Sequence, residues 1–113
     1  MSRDPRLYLE DMRDACERIA EHRADGDRRA VLGNPKTRDA ILWNLLILGE
    51  AAKQVPSEIT ERHPAVEWRR IAGFRDVLAH GYFGLDDDIL WDVISSKVPQ
   101  VLEAVEIALG STE

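Results

Sequence analysis

Apolar residues in this 113-residue chain recur at steps of three and four, the spacing of one face of a helix. Tyr8, Met12, Ala15 and Ile19 keep that rhythm and predict a helix from about residue 5 to 24. Its start is marked by Asp4, whose carboxylate can accept orphan backbone N–H groups, and by Pro5, which fits the first helical position. Asp25-Gly26-Asp27 ends it, and the segment from Asp25 to Pro35 reads as a connection holding a short turn of helix around Val31. Ile41, Leu45, Leu48, Ala52 and Val55 then predict a helix from about Thr37 to Val55. Leu42, Leu46 and Ile47 widen its apolar stripe, so this helix should have neighbours on two sides and be the central one.

Pro56-Ser57 breaks the pattern, and Ser57 to Arg62 is predicted to form a short helix capped by the serine hydroxyl. Trp68, Ile71, Phe74 and Leu78 mark a third long helix from about Pro64 to Leu78 or Ala79, ending at Gly81 or Gly84. Asp86, Asp87 and Asp88 place negative charge where the next helix starts, and a last helical region runs to about Leu109. Pro99 lies inside it and removes a backbone donor, which predicts a kink or break near Ser96 to Val98. With short connections and no alternating apolar runs, the expected fold is all-α: one domain over residues 1–113, an antiparallel helical bundle of four to five helices, with 110–113 as a short tail.

Composition narrows the function classes. Fifteen Lys and Arg against 21 Asp and Glu give a net charge of −6, which argues against coating nucleic acid or an anionic membrane with the whole surface. The single cysteine, Cys16, can form no internal disulfide and reads as a small core residue; no secretory h-region is evident, so a reducing cytoplasm is the expected location. The longest apolar stretch, Ile41 to Ala52, is interrupted by Asn44, Gly49 and Glu50, and no membrane span is expected.

The charge is unevenly placed. Residues 61–80 carry 4 basic and 3 acidic groups, whereas residues 81–113 carry 1 and 7. The third helix therefore lacks the acidic excess, and it holds His63 and His80. Arg62, Arg69 and Arg70 read as solvated charges paired with Glu61 and Glu67. The richest stretch runs from Phe74 through Arg75, Asp76 and His80 to Tyr82. An arginine is a permanent cation whose donor fork suits phosphate oxygens, and a histidine can transfer protons at neutral pH. Together they suffice for RNA cleavage without a metal: a base activates the ribose 2′-hydroxyl, an acid protonates the leaving oxygen, and a cation stabilises the charged phosphorane.

On a regular helix, however, residues 75 and 80 are separated by about 140°. They converge if the helix unwinds near His80, or if a second chain supplies the partner. Asp76, four residues before His80, is placed to orient it and favour its imidazolium form, although the same carboxylate repels phosphate. A plainer account of Arg75 and His80 also exists, since the helix dipole favours cations in a last turn. The histidines lack the spacing of a zinc site, and no cofactor or metal is expected.

The residues Tyr8-Leu9-Glu10-Asp11-Met12, Asp39-Ala40, Leu48-Gly49-Glu50-Ala51-Ala52-Lys53, Trp68-Arg69-Arg70-Ile71, Arg75 to Phe83, Leu85-Asp86, Trp91 and Val98-Pro99 resemble the HepT-like toxins of the HEPN superfamily. The resemblance covers roughly residues 5 to 109. It maps the R-x-x-x-x-H-x-Y motif onto Arg75, His80 and Tyr82, and puts Asp76 at the polar position after the arginine. It implies a helical homodimer whose two motifs meet in a cleft and act as a metal-independent endoribonuclease on RNA. It also implies a type VII-like toxin-antitoxin pair, with a minimal nucleotidyltransferase as antitoxin partner adenylylating Tyr82. A non-catalytic helical dimer binding a nucleotide or a nucleotidyltransferase is the competing expectation. Gly49 and Glu50 read as structural: a mid-helix glycine suggests close helix approach, and Glu50 is available to a basic residue of the cleft.

Overall fold

The computed structural model describes residues 3–81 and 84–111, apart from the side chains of residues 77, 79–81 and 111. It is helical, with no strand among the described residues. The elements are α1 (Pro5–Arg23), α2 (Arg28–Leu32), α3 (Pro35–Gln54), α4 (Ser57–Thr60), α5 (Trp68–Gly81), α6 (Asp87–Asp92), a π-helical turn (Val93–Lys97) and α7 (Val98–Ser111). Four of them are long, and the others are short connectors.

Local chemistry sets most of these boundaries. The Asp4 side chain accepts the Arg6 N–H at 2.9 Å and so caps α1. At the other end Ala24 takes φ 46°, and its N–H donates to the Ala20 carbonyl. Asp27 caps α2 through the Ala30 N–H. α3 starts two residues before the expected Thr37, because Asn34 accepts the Lys36 and Thr37 N–H groups and Pro35 takes the first position. That is the Asp4-Pro5 device repeated.

Two expectations for the middle of the chain are corrected. Ser57 is the first residue of α4 rather than its cap; no side chain caps this helix, which stops at Thr60 instead of Arg62. α5 begins at Trp68 rather than near Pro64, because residues 63–67 are held in turns. The His63 carbonyl accepts both the Val66 N–H and the Trp68 indole N–H, and Val66 is buried.

The break expected at Pro99 takes the form of the π-helical turn. The Val98 N–H donates to the Val93 carbonyl, five residues back, and Ser95 Oγ donates to the Trp91 carbonyl at 2.6 Å. The wider turn gives room to a ring that would otherwise press on the carbonyl four residues earlier, and α7 then starts with proline in its first turn.

α3 packs between α1 and α5, and α1 also packs on α7. Expecting α3 at the centre is thus borne out. Leu9, Met12, Ile19, Ile41, Leu90, Ile94 and Val105 are fully buried between these helices. Each such side chain contributes roughly 1.5–3 kcal/mol by leaving water. Cys16 lies among them, as the apolar stripe requires, and its burial together with Glu17 and Glu106 pushes the thiol up to about 12. Asp86 caps α6, while Arg38 and Arg28 pair with Asp87 and Asp88, tying this helix start to α2 and α3. Among the described residues no helix is long and apolar enough to cross a membrane.

Candidate functional site

α5 carries the Arg75 to His80 segment, and α3 is the helix packed against it. They approach each other closely at Gly49. A Cβ added there would lie 3.0 Å from the Arg75 Cβ and 3.0 Å from the Ile71 carbonyl oxygen. The glycine therefore lets the α5 backbone at Arg75 sit directly on α3, as a mid-helix glycine suggested.

The next residue of α3, Glu50, faces the arginine. Its carboxylate forms an ion pair with Arg75 Nε, and Asp76 Oδ1 accepts from Arg75 Nη1 at 3.1 Å. The Arg75 side chain is 37% exposed, and Nε is its buried part. The guanidinium is thus anchored at its base and open at its tip. Glu50 is the basic residue's partner that its sequence position made available.

α5 is helical from Trp68 to Gly81. Positions 75 and 80 of one chain therefore stay about 140° apart around the axis, and of the two routes to convergence, unwinding before Gly81 is not the one taken. The side chain of His80 and the whole of Tyr82 lie outside the described residues, as does any contact between Asp76 and His80. The described partner of Asp76 is Arg75.

The other cations of this segment behave as surface charges. Arg70 pairs with Glu67 at 3.4 Å, and Arg62 donates to the Glu58 carbonyl rather than to Glu61. Among the described residues no group of three or more His, Cys, Asp or Glu is placed to hold a metal ion.

The match to known proteins covers this whole arrangement. The family model described as "Ribonuclease HepT-like" matches residues 12–108. The chain belongs to the HepT-like ribonuclease family. "Probable ribonuclease HepT" of Thermococcus cleftensis is 37% identical over 101 residues, covering 89% of this chain and 92% of that one. A Methanocaldococcus jannaschii protein that carries an RNase name is 32% identical over 105 residues, covering 93% and 96%. A third, from Caldanaerobacter subterraneus and also named as an RNase, is 36% identical over 102 residues, covering 90% and 91%. No solved structure matches the chain.

In this HepT-like chain one surface feature escaped the sequence pattern. Trp43 is 62% exposed on α3, and with Tyr8, Leu46, Ile47 and Glu50 it lines a groove of about 360 Å³. The signal was present: Trp43 is two residues from Ile41, on the opposite side of the helix from the buried stripe. Trp43 and Glu50 are seven apart, so this apolar patch adjoins the Arg75–Glu50 pair. A second groove of about 390 Å³ lies between α5 and the π turn with α7, lined by Leu48, Ile71, Phe74, Val98 and Val101 among others. Neither Arg75 nor Asp76 is among its described lining residues.

Proposed function

We propose that this protein is a metal-independent endoribonuclease, with Arg75 and His80 catalytic and Asp76 supporting them in a cleft shared by two copies of the chain. The carrying observation is the guanidinium of Arg75, anchored at Nε by Glu50 and open at its tip, on a helix that belongs to the HepT-like family. The continuity of α5 supports the homodimer: one chain holds positions 75 and 80 apart, so a phosphate gripped by Arg75 needs the histidine of a second copy. The exposed Trp43, with the partly buried Leu46 and Ile47 beside Glu50, supplies an apolar surface for that copy to cover.

The reaction balances with these groups alone. One His80 takes the proton of the ribose 2′-hydroxyl, whose oxygen attacks phosphorus. Arg75 donates to the phosphorane oxygens as their charge rises. The bond to the 5′-oxygen breaks, and the second His80 supplies the proton that oxygen needs. The products are a 2′,3′-cyclic phosphate and a 5′-hydroxyl.

Control follows from the same charge logic. In a type VII-like toxin-antitoxin pair, a minimal nucleotidyltransferase would transfer AMP to Tyr82, two residues beyond His80. The added phosphodiester places bulk and negative charge beside the cation that RNA phosphate requires.

The decisive experiment is cleavage of RNA by purified dimer in EDTA. The wild type should yield cyclic-phosphate ends, whereas Arg75→Ala and His80→Ala should not. Equal cleavage by wild type and His80→Ala overturns the reading, and RNA binding without products favours the non-catalytic dimer instead. Intact mass after coexpression with a nucleotidyltransferase should show an AMP adduct that Tyr82→Phe abolishes.

A further inference from the structure

We infer that Glu50 is the positioning residue for Arg75, aiming the guanidinium at the scissile phosphate. The inference rests on the proposed ribonuclease reading and concerns a residue twenty-five positions away from the motif arginine on another helix.

An arginine side chain on a helix surface samples many rotamers, and a cation that must meet a developing charge gains from being held beforehand. A guanidinium is planar and presents five N–H donors in a fixed fork, so contacts at two of its nitrogens fix its plane. Here those contacts are Glu50 at Nε and Asp76 at Nη1. The Nη2 amino group has no partner among the described residues and is left for an anion.

The two acids are not equivalent. Asp76 is the neighbour of Arg75 in sequence and its side chain is 67% exposed, so it moves with the arginine and faces solvent. Glu50 stands on α3, whose position relative to Arg75 is set by the Gly49 contact, and it meets Nε, which is buried. Only Glu50 refers the guanidinium to a second, packed helix. The cost is a carboxylate near a site for phosphate. Glu50 engages the base of the fork rather than its tip, which keeps its charge behind the cation relative to an incoming anion.

This assignment separates binding from turnover. Glu50→Ala removes a negative charge, so affinity for a 2′-deoxy-substituted, uncleavable RNA should stay the same or tighten. Single-turnover cleavage should fall by about 10²-fold, the effect of misplacing a catalytic group by about 1 Å. Glu50→Gln keeps the length and an acceptor oxygen and should recover part of the loss. A second readout is independent of cleavage: the Arg75 Nε–H resonance in a ¹⁵N NMR spectrum, identified by its loss in Arg75→Lys, should shift or broaden away in Glu50→Ala. Circular dichroism and melting report whether the variants fold.

A Glu50→Ala protein that cleaves at the wild-type rate overturns the inference, as does an unchanged Arg75 Nε–H signal. Binding and cleavage that fall together with stability would make Glu50 merely structural and overturn it too. If the wild type cleaves no RNA, the proposed function fails, and the NMR measurement still decides whether Glu50 holds Arg75.

Discussion

Gly49 offers the sharpest quantitative test, because one substitution there opposes two effects of known size. Glycine to alanine inside a helix is worth about 1 kcal/mol in favour of alanine from backbone entropy alone. At Gly49 the new methyl would stand 3.0 Å from the Arg75 Cβ, 3.0 Å from the Ile71 carbonyl oxygen and 3.4 Å from the Arg75 backbone nitrogen. None of these atoms is the end of a flexible side chain, so no rotamer change relieves the contact. α5 as a whole has to move by a few tenths of an ångström, and overpacking of that kind costs about 1–3 kcal/mol. The net expectation for Gly49→Ala is a loss between roughly 0 and 2 kcal/mol.

Gly73 provides the matched control. It lies in the interior of α5, and a Cβ added there meets nothing within 4 Å. Gly73→Ala should therefore collect the propensity gain undiminished and stabilise the protein by about 1 kcal/mol. Urea and thermal unfolding followed by circular dichroism, at one protein concentration, should place the two variants about 1–3 kcal/mol apart. That is a difference of several degrees in Tm, since 1 kcal/mol shifts a domain of this size by about 4–8 °C. Should Gly49→Ala prove as stabilising as Gly73→Ala, the close approach of α3 and α5 is refuted, and with it the physical basis for bringing Glu50 to Arg75.

Three further outcomes follow from the packing. Leu9 is fully buried, so Leu9→Ala should cost about 2–5 kcal/mol in urea unfolding, while Leu7→Ala, at a position 39% exposed, should cost far less. Ala24 ends α1 with φ 46°, a backbone region that favours glycine, and Ala24→Gly should raise stability by about 1 kcal/mol; a destabilised variant would contradict that backbone geometry. Cys16 keeps its proton in the folded state up to about pH 12 but loses it in the unfolded chain from about pH 9. Between those values the unfolded state binds fewer protons, so stability should fall as pH rises, by up to about 1.4 kcal/mol per pH unit, and should be insensitive to this group below pH 9. Cys16→Ala should flatten that slope, and an equal slope in both proteins would sink the assignment.

What the chain determines without tertiary help is what neighbouring residues can do for one another. The three- and four-residue spacing of Met12, Ala15 and Ile19, or of Ile41, Leu45 and Leu48, is enough to define a helix and the side it buries, because helical periodicity depends only on the backbone. Capping is equally local: Asp4-Pro5 announced α1, and Asn34-Pro35 carried the same signal for α3 two residues before the apolar pattern begins. Pro99 marked where the last helix is disturbed, although periodicity could not say that the chain would answer with a π turn instead of a kink. Gly49 was legible as a point of close approach, and Glu50 as an available acid.

Only the tertiary structure decided what they approach. Arg75 lies on another helix, and its pairing with Glu50 depends on how α3 and α5 are set against each other, a matter of packing that spacing along the chain does not encode. The start of α5 at Trp68 was likewise settled by a turn that buries Val66 and occupies the His63 carbonyl. Whether positions 75 and 80 converge within one chain also required the folded helix. Local sequence permitted α5 either to unwind before Gly81 or to continue, and it continues, which keeps positions 75 and 80 of one chain about 140° apart around the helix axis.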